Sequence, residues 1–208
     1  MLEHLIKTFI VFFVVVEPIS LVPMFGALTR GADPRFRRKM AVKGVVISAI
    51  ISYGFLAVGN WLLQTLGVSL DSFKIGGGLL LFLLSVDMVF ARQSGLRSTT
   101  IREQDEARYR EDISVFPLAF PLITGPGAMA TLLLLLGETR GHPTMFIWLL
   151  VIVALVLAIT LALLLAVRPV ERLLGVTVGN VVSRLAGVVL VAMSVQYVID
   201  GIKGSFFS

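Results

Sequence analysis

The chain contains no cysteine and only two histidines. Without cysteine there is no disulfide framework and no thiolate metal site, an absence that names no compartment. His4 and His142 sit near the ends of apolar runs, and no HExxH pair, Ser-Lys dyad at matched depth or pair of aspartates inside opposed helices accompanies them. Phosphate-loop and dinucleotide fingerprints are missing too, because Gly76-Gly77-Gly78 lacks the following lysine and opens an apolar helix. A divalent-metal carrier wants several oxygen or imidazole ligands at depth, and only Glu17 is clearly there. The expectation is therefore a protein that is not an enzyme and holds no cofactor. Charge is scarce as well: 15% of residues are charged against 57% apolar, and the mean hydropathy is +0.94. No soluble domain has that balance.

What is present is a set of apolar runs. Six are long enough, or nearly so, to cross a bilayer: about 5–28, 44–66, 75–91, 113–136, 145–167 and 185–202, the third and sixth being short. Continuous runs exclude a β-barrel, whose strands alternate faces at every residue. The start lacks a basic leader, carries Glu3 early and shows no small-residue cleavage site, so the first run reads as a retained span. The expected class is an all-α polytopic membrane protein, with 1–91 and 113–208 as three-helix halves joined by a polar cytoplasmic loop, 92–112.

Orientation follows from the basic residues. Lys7, Lys74, Arg140 and Lys203 fall on one side. The other fourteen of the 18 lysines and arginines fall in the first loop (Arg30 to Lys43), the third (Arg92 to Arg110) and the fifth (Arg168, Arg172, Arg184). The positive-inside bias puts those three loops in the cytoplasm and both termini outside. The net charge of +5 is then a topological signal. Beside a span, a run such as Arg35 to Lys39 meets anionic lipid headgroups, and no nucleic-acid partner is expected.

Two of the runs share an interruption. Leu5 to Leu28 and Ile113 to Leu136 are each 24 residues long, and twelve residues in from either start lies Glu17 or Gly125, just before Pro18 or Pro126. That is about 18 Å of helical rise, near the centre of a hydrocarbon core roughly 30 Å thick. A repeat links the halves further. Leu66-Gly67-Val68-Ser69 precedes Lys74-Ile75-Gly76-Gly77, and Leu174-Gly175-Val176-Thr177 precedes Arg184-Leu185-Ala186-Gly187. Three spans per half make the repeats inverted, with helices one and four broken at the midplane; such paired breaks point to a transporter's central site.

The residues at the breaks carry the candidate chemistry. Pro18, Pro23, Pro117, Pro121 and Pro126 loosen helices that otherwise satisfy every backbone group internally. At Thr124-Gly125-Pro126-Gly127, glycines admit a ligand close to the backbone, and the amides opening the next half-helix, through Ala128, suit a carboxylate. The alternative is that the glycines serve helix packing and Pro126 only kinks. Glu17, acidic near the bilayer centre, takes an ammonium group or a coupling proton, or else caps the half-helix at Pro18 with help from Ser20. Asp87 and Gln196, with Ser85 and Ser194, are candidate cavity-lining groups, against the plainer readings of ion pairing, headgroup contact and interhelical hydrogen bonds. Lys74 and Arg184 read as interfacial anchors.

Glu17-Pro18-Ile19-Ser20-Leu21-Val22-Pro23-Met24-Phe25 and Phe116-Pro117-Leu118-Ala119-Phe120-Pro121 through Thr124-Gly125-Pro126-Gly127-Ala128-Met129-Ala130-Thr131 resemble the two signature stretches of the MarC family of six-span membrane proteins. The likeness extends over essentially the whole chain, including Ile75-Gly76-Gly77-Gly78 and Val195 to Gly201; the first stretch departs from the family's usual Asp or Asn in having Glu17. The resemblance implies an inner-membrane protein of the lysine-exporter-like superfamily, some of whose MarC-type members are regarded as transporters of small neutral amino acids.

The reading is a secondary transporter of small zwitterions that alternates access between its halves. It runs on an H+ or Na+ gradient or on the substrate's own, since no ATPase motif is present. A non-transporting regulatory or assembly protein, and an exporter or channel for another small solute, are the alternatives. A homo-oligomer is compatible with the sequence.

Overall fold

A computed structural model describes residues 2–91, 112–139 and 141–206, with backbone only for 171–177. The elements are α1 (Leu2–Val16), α2 (Pro18–Leu28), α3 (Pro34–Thr65), α4 (Leu70–Phe90), the wide-turned segment α5 (Ser114–Ile123), α6 (Pro126–Glu138), α7 (Pro143–Leu165) and α8 (Val167–Phe206). No strand occurs among the described residues, and the chain is an all-α polytopic membrane protein, as expected. Nearly all of the 92–112 connection lies outside the described residues.

Among the described residues five helical stretches are long and apolar enough to cross a membrane, and the bent pair α5 and α6 makes a sixth. Their ends differ from the apolar runs. Helix α4 begins at Leu70 because Ser69 caps it, its hydroxyl accepting from the Ser72 amide at 3.0 Å, and because Asp71 and Lys74 pair at 2.8 Å within the first turn. Helix α3 starts at Pro34, with Asp33 at the cap position and proline where a missing amide costs nothing. The stretch between 167 and 185, read as a loop, is helical and continuous with the last span. Pro169 falls in its first turn, where no intrahelical bond is lost. In each case a polar turn ends the hydropathy signal without ending the helix.

The breaks appear where expected, at Glu17 and at Thr124–Gly125, the latter bending the chain by 55°. The α5–α6 pair does not double back. Gly44 of α3 rests on Leu118 and Ser114, and Gly59 rests on Leu133 and Leu136, so the pair follows α3 in one direction across both halves of its length. Beyond its break, α6 is buried from Ala130 to Gly137 without interruption. Apolar on every side, it forms the axis of the bundle, with α1, α3, α4 and α7 around it.

Helices α4 and α8 form the tightest antiparallel pair. Gly78 faces the Ser194 carbonyl, Gly187 the Ser85 carbonyl and Gly201 the Asp71 carbonyl, so glycines bring the two backbones together along their length. At one end of the bundle Lys7 donates to Glu138 at 3.0 Å and lies over the Tyr197 ring. At the other, Lys43 pairs with Asp112. Hydrogen bonds from Lys43 and Ser114 hold the Asp112 carboxyl well below the usual carboxylate range.

Candidate functional site

At the first break the chain inserts one residue in an unusual conformation. The Glu17 amide still donates to the Phe13 carbonyl at 2.8 Å, closing α1. Pro18 then offers no amide hydrogen, and the Ser20 and Leu21 amides turn back to the Glu17 carbonyl at 3.1 and 3.3 Å. Glu17 has φ 53° and ψ 56°, the left-handed region that costs a residue with a Cβ roughly 1–2 kcal/mol. Its side chain makes no capping bond to the α2 backbone. The carboxylate instead accepts from the Ser20 hydroxyl at 2.7 Å, and the residue is 6% exposed.

The second break is built from prolines. Phe116 and Phe120 are extended, and each precedes a cis proline, Pro117 or Pro121. The Leu118 amide bonds the Ile113 carbonyl and the Thr124 amide the Ala119 carbonyl, five residues back in each case. The Thr124 hydroxyl, fully buried, donates to that same Ala119 carbonyl at 2.7 Å. Gly125 then occupies the cap position of α6 in extended geometry, with no side chain to cap. Pro126 opens the helix, and the Met129 amide is the first to reach back, to the Gly125 carbonyl at 3.1 Å. The Gly127 and Ala128 amides therefore have no intrahelical acceptor, and both residues are buried.

The two breaks lie side by side inside the bundle. A Cβ built on Gly127 would stand 3.8 Å from Val15, two residues before Glu17, and 2.6 Å from Leu84 of α4. Val15, Leu84 and Ala128 share one apolar cluster. Glu17, Thr124, Gly125, Gly127 and Ala128 are all buried and Pro126 is half-buried, so the breaks lie inside the bundle. A cleft of about 530 Å³ opens elsewhere, between Leu56, Asn60, Thr139, His142 and Phe146 near the far end of α6.

Ser85 and Ser194 are fully buried, and their hydroxyls donate to the Phe82 and Val191 carbonyls at 2.7 Å each. Asp87 is half-buried, and Gln196 is exposed and donates to Asp200 at 2.7 Å. On α4 it is Leu84, next to Ser85, that reaches the break. Leu84 and Val15 were not singled out from the sequence, where nothing separates one apolar residue of a span from another. Among the described residues no three His, Cys, Asp or Glu side chains gather to hold a metal ion.

The chain is 34% identical over 205 residues to a UPF0056 membrane protein of Methanocaldococcus jannaschii, covering 98% of each. It is 32% identical over 201 residues to the UPF0056 membrane protein YhcE of Escherichia coli, covering 96% of this chain and 92% of that one. To YvbG of Bacillus subtilis, also a UPF0056 membrane protein, it is 30% identical over 208 residues, covering 99% and 97%. No solved structure matches. The sequence model described as MarC family integral membrane protein matches residues 2–206, and the chain belongs to the MarC family.

Proposed function

We propose that the protein is a secondary transporter of small neutral amino acids or similar small zwitterions, working by alternating access in the cell's inner membrane. One observation carries this reading: a buried carboxylate and a buried pair of helix-opening amides stand at adjacent breaks in the middle of the bundle. The Gly127 and Ala128 amides, with the partial positive charge of the α6 start, bind the substrate carboxylate. Glu17 binds the ammonium group or a coupling proton, and Ser20 orients it. Val15 and Leu84 crowd the space between, which limits the substrate to a small side chain.

With both breaks enclosed, substrate reaches them only if the halves, 1–91 and 113–208, move against each other. An inverted relation between the halves makes the outward and inward movements equivalent. The antiparallel pairing of α4 with α8, the third helix of each half, supports that relation. The driving force is an H+ or Na+ gradient or the substrate's own.

The test is counterflow in proteoliposomes with labelled glycine, alanine and other small amino acids. Exchange of at least one is expected, and Glu17→Gln, which keeps the shape and removes the charge, should reduce the rate about tenfold or more or abolish its pH dependence. Wild-type protein that exchanges none of them overturns the reading.

A further inference from the structure

Helix α3 passes the second break, and its register is given by two glycines. Gly44 touches Leu118 and Ser114 before the break; Gly59 touches Leu133 and Leu136 after it. Ser52 lies halfway between the two glycines, level with the turn at Thr124 to Pro126. At about 100° per residue it points within about 20° of Gly59, toward α6. Tyr53, one residue on, points instead to α7, where its hydroxyl donates to the Leu150 carbonyl at 3.1 Å.

The Ser52 hydroxyl is fully buried and has no hydrogen-bond partner. Among the described residues the Tyr197 hydroxyl, at one end of the bundle beside Glu138 and Lys7, shares this state, but the serine and threonine hydroxyls buried along the spans do not. Ser48, Ser85, Thr131, Thr160 and Ser194 each donate to a carbonyl three or four residues back on their own helix. Ser52 has the same route open, to the Ser48 carbonyl, and does not take it. A buried hydroxyl without a partner loses its hydration and gains nothing in return, so a group that fills the site is expected to be its partner. Helix geometry turns the face it shares with Gly59 toward α6, at whose start Gly125 leaves the Gly127 and Ala128 amides uncapped.

We infer that the Ser52 hydroxyl is a third donor to the substrate carboxylate, completing from α3 the anion cradle that the α6 amides begin. This rests on the transporter reading and adds to it the element α3, which carries no break. Backbone amides at a helix start hold any small anion; a side-chain donor across from them fixes the direction from which the carboxylate enters.

The experiment is glycine and alanine counterflow by reconstituted wild type, Ser52→Ala, Ser52→Thr and Ser48→Ala, each as a monodisperse species. Alanine is a strong helix former, so Ser52→Ala folds. Its half-saturating substrate concentration should rise about tenfold or more, the effect of losing one hydrogen bond to a charged acceptor, with the maximal rate changed less. Ser52→Thr keeps the hydroxyl and should stay close to wild type. Ser48→Ala, whose hydroxyl is already engaged with Gly44, should match wild type. Wild-type exchange with unaltered kinetics in Ser52→Ala overturns this inference and leaves the transporter reading standing, and so does a fall in maximal rate alone. Absence of exchange by wild type removes both.

Discussion

Glu17 stands in a backbone conformation that glycine adopts freely and glutamate does not, at φ 53°. A strained, buried, ionisable residue at a helix break persists when its side chain is needed there. Glu17→Gly separates the two contributions. It should fold at least as well as wild type, gaining up to about 1 kcal/mol from relief of the left-handed strain, and should exchange substrate poorly because the carboxylate is gone. Thermal unfolding in detergent and counterflow on the same preparation check this, and a Glu17→Gly protein with wild-type exchange would show that the carboxylate is not used. The position was legible in the sequence because an acidic residue before proline in an apolar run has few benign explanations. Its φ angle was not, since nothing local demands it. The capping role weighed for Glu17 takes a different form in the structure, where its side chain makes no cap bond at the start of α2 and Ser20 donates to the carboxylate.

Between elements, the contacts that decide the packing are made by glycine against backbone. On Gly201 a Cβ would lie 2.7 Å from the Asp71 carbonyl oxygen and 3.0 Å from the Ile75 amide nitrogen, atoms that cannot rotate away. Gly201→Ala should therefore push α4 from α8 and destabilise the protein by about 1–3 kcal/mol. Gly54 and Gly76 have open space around the equivalent position. Gly54→Ala and Gly76→Ala should be neutral or stabilising by up to about 1 kcal/mol, as expected when alanine replaces glycine within a helix. Melting curves of the three variants in one detergent test the contrast, and equal melting temperatures would refute the packing argument. All three glycines look alike in the sequence. Hydropathy located the centres of the helices, while their ends depended on Ser69 capping α4 and on Asp33-Pro34 starting α3, interactions that a sliding average does not see.

For the molecule as a whole, the beginning of α1 and the end of α6 meet through Lys7 and Glu138, and Tyr197 near the end of α8 lies beside them. The Lys43 and Asp112 pair marks the opposite end. Both described chain ends thus share one side, and from the basic-residue asymmetry we propose that this side lies outside the cytoplasm. Because the chain has no cysteine, Ser205→Cys and Ser98→Cys can each be the sole thiol. An impermeant maleimide added to intact cells should label Ser205→Cys, and Ser98→Cys only after permeabilisation; the reverse pattern would invert the topology. The sequence by itself determined that this is a helical membrane protein, how many apolar runs it has and where two of them break, because the bilayer demands long apolar runs with internal hydrogen bonding and proline denies it. Only the tertiary structure decided that the breaks adjoin, that α6 is enclosed on every side, and that Leu84 and Val15 face Gly127. Apolar composition is uniform around a membrane helix, so which face meets a neighbour and which meets lipid is set by packing partners far away in the chain.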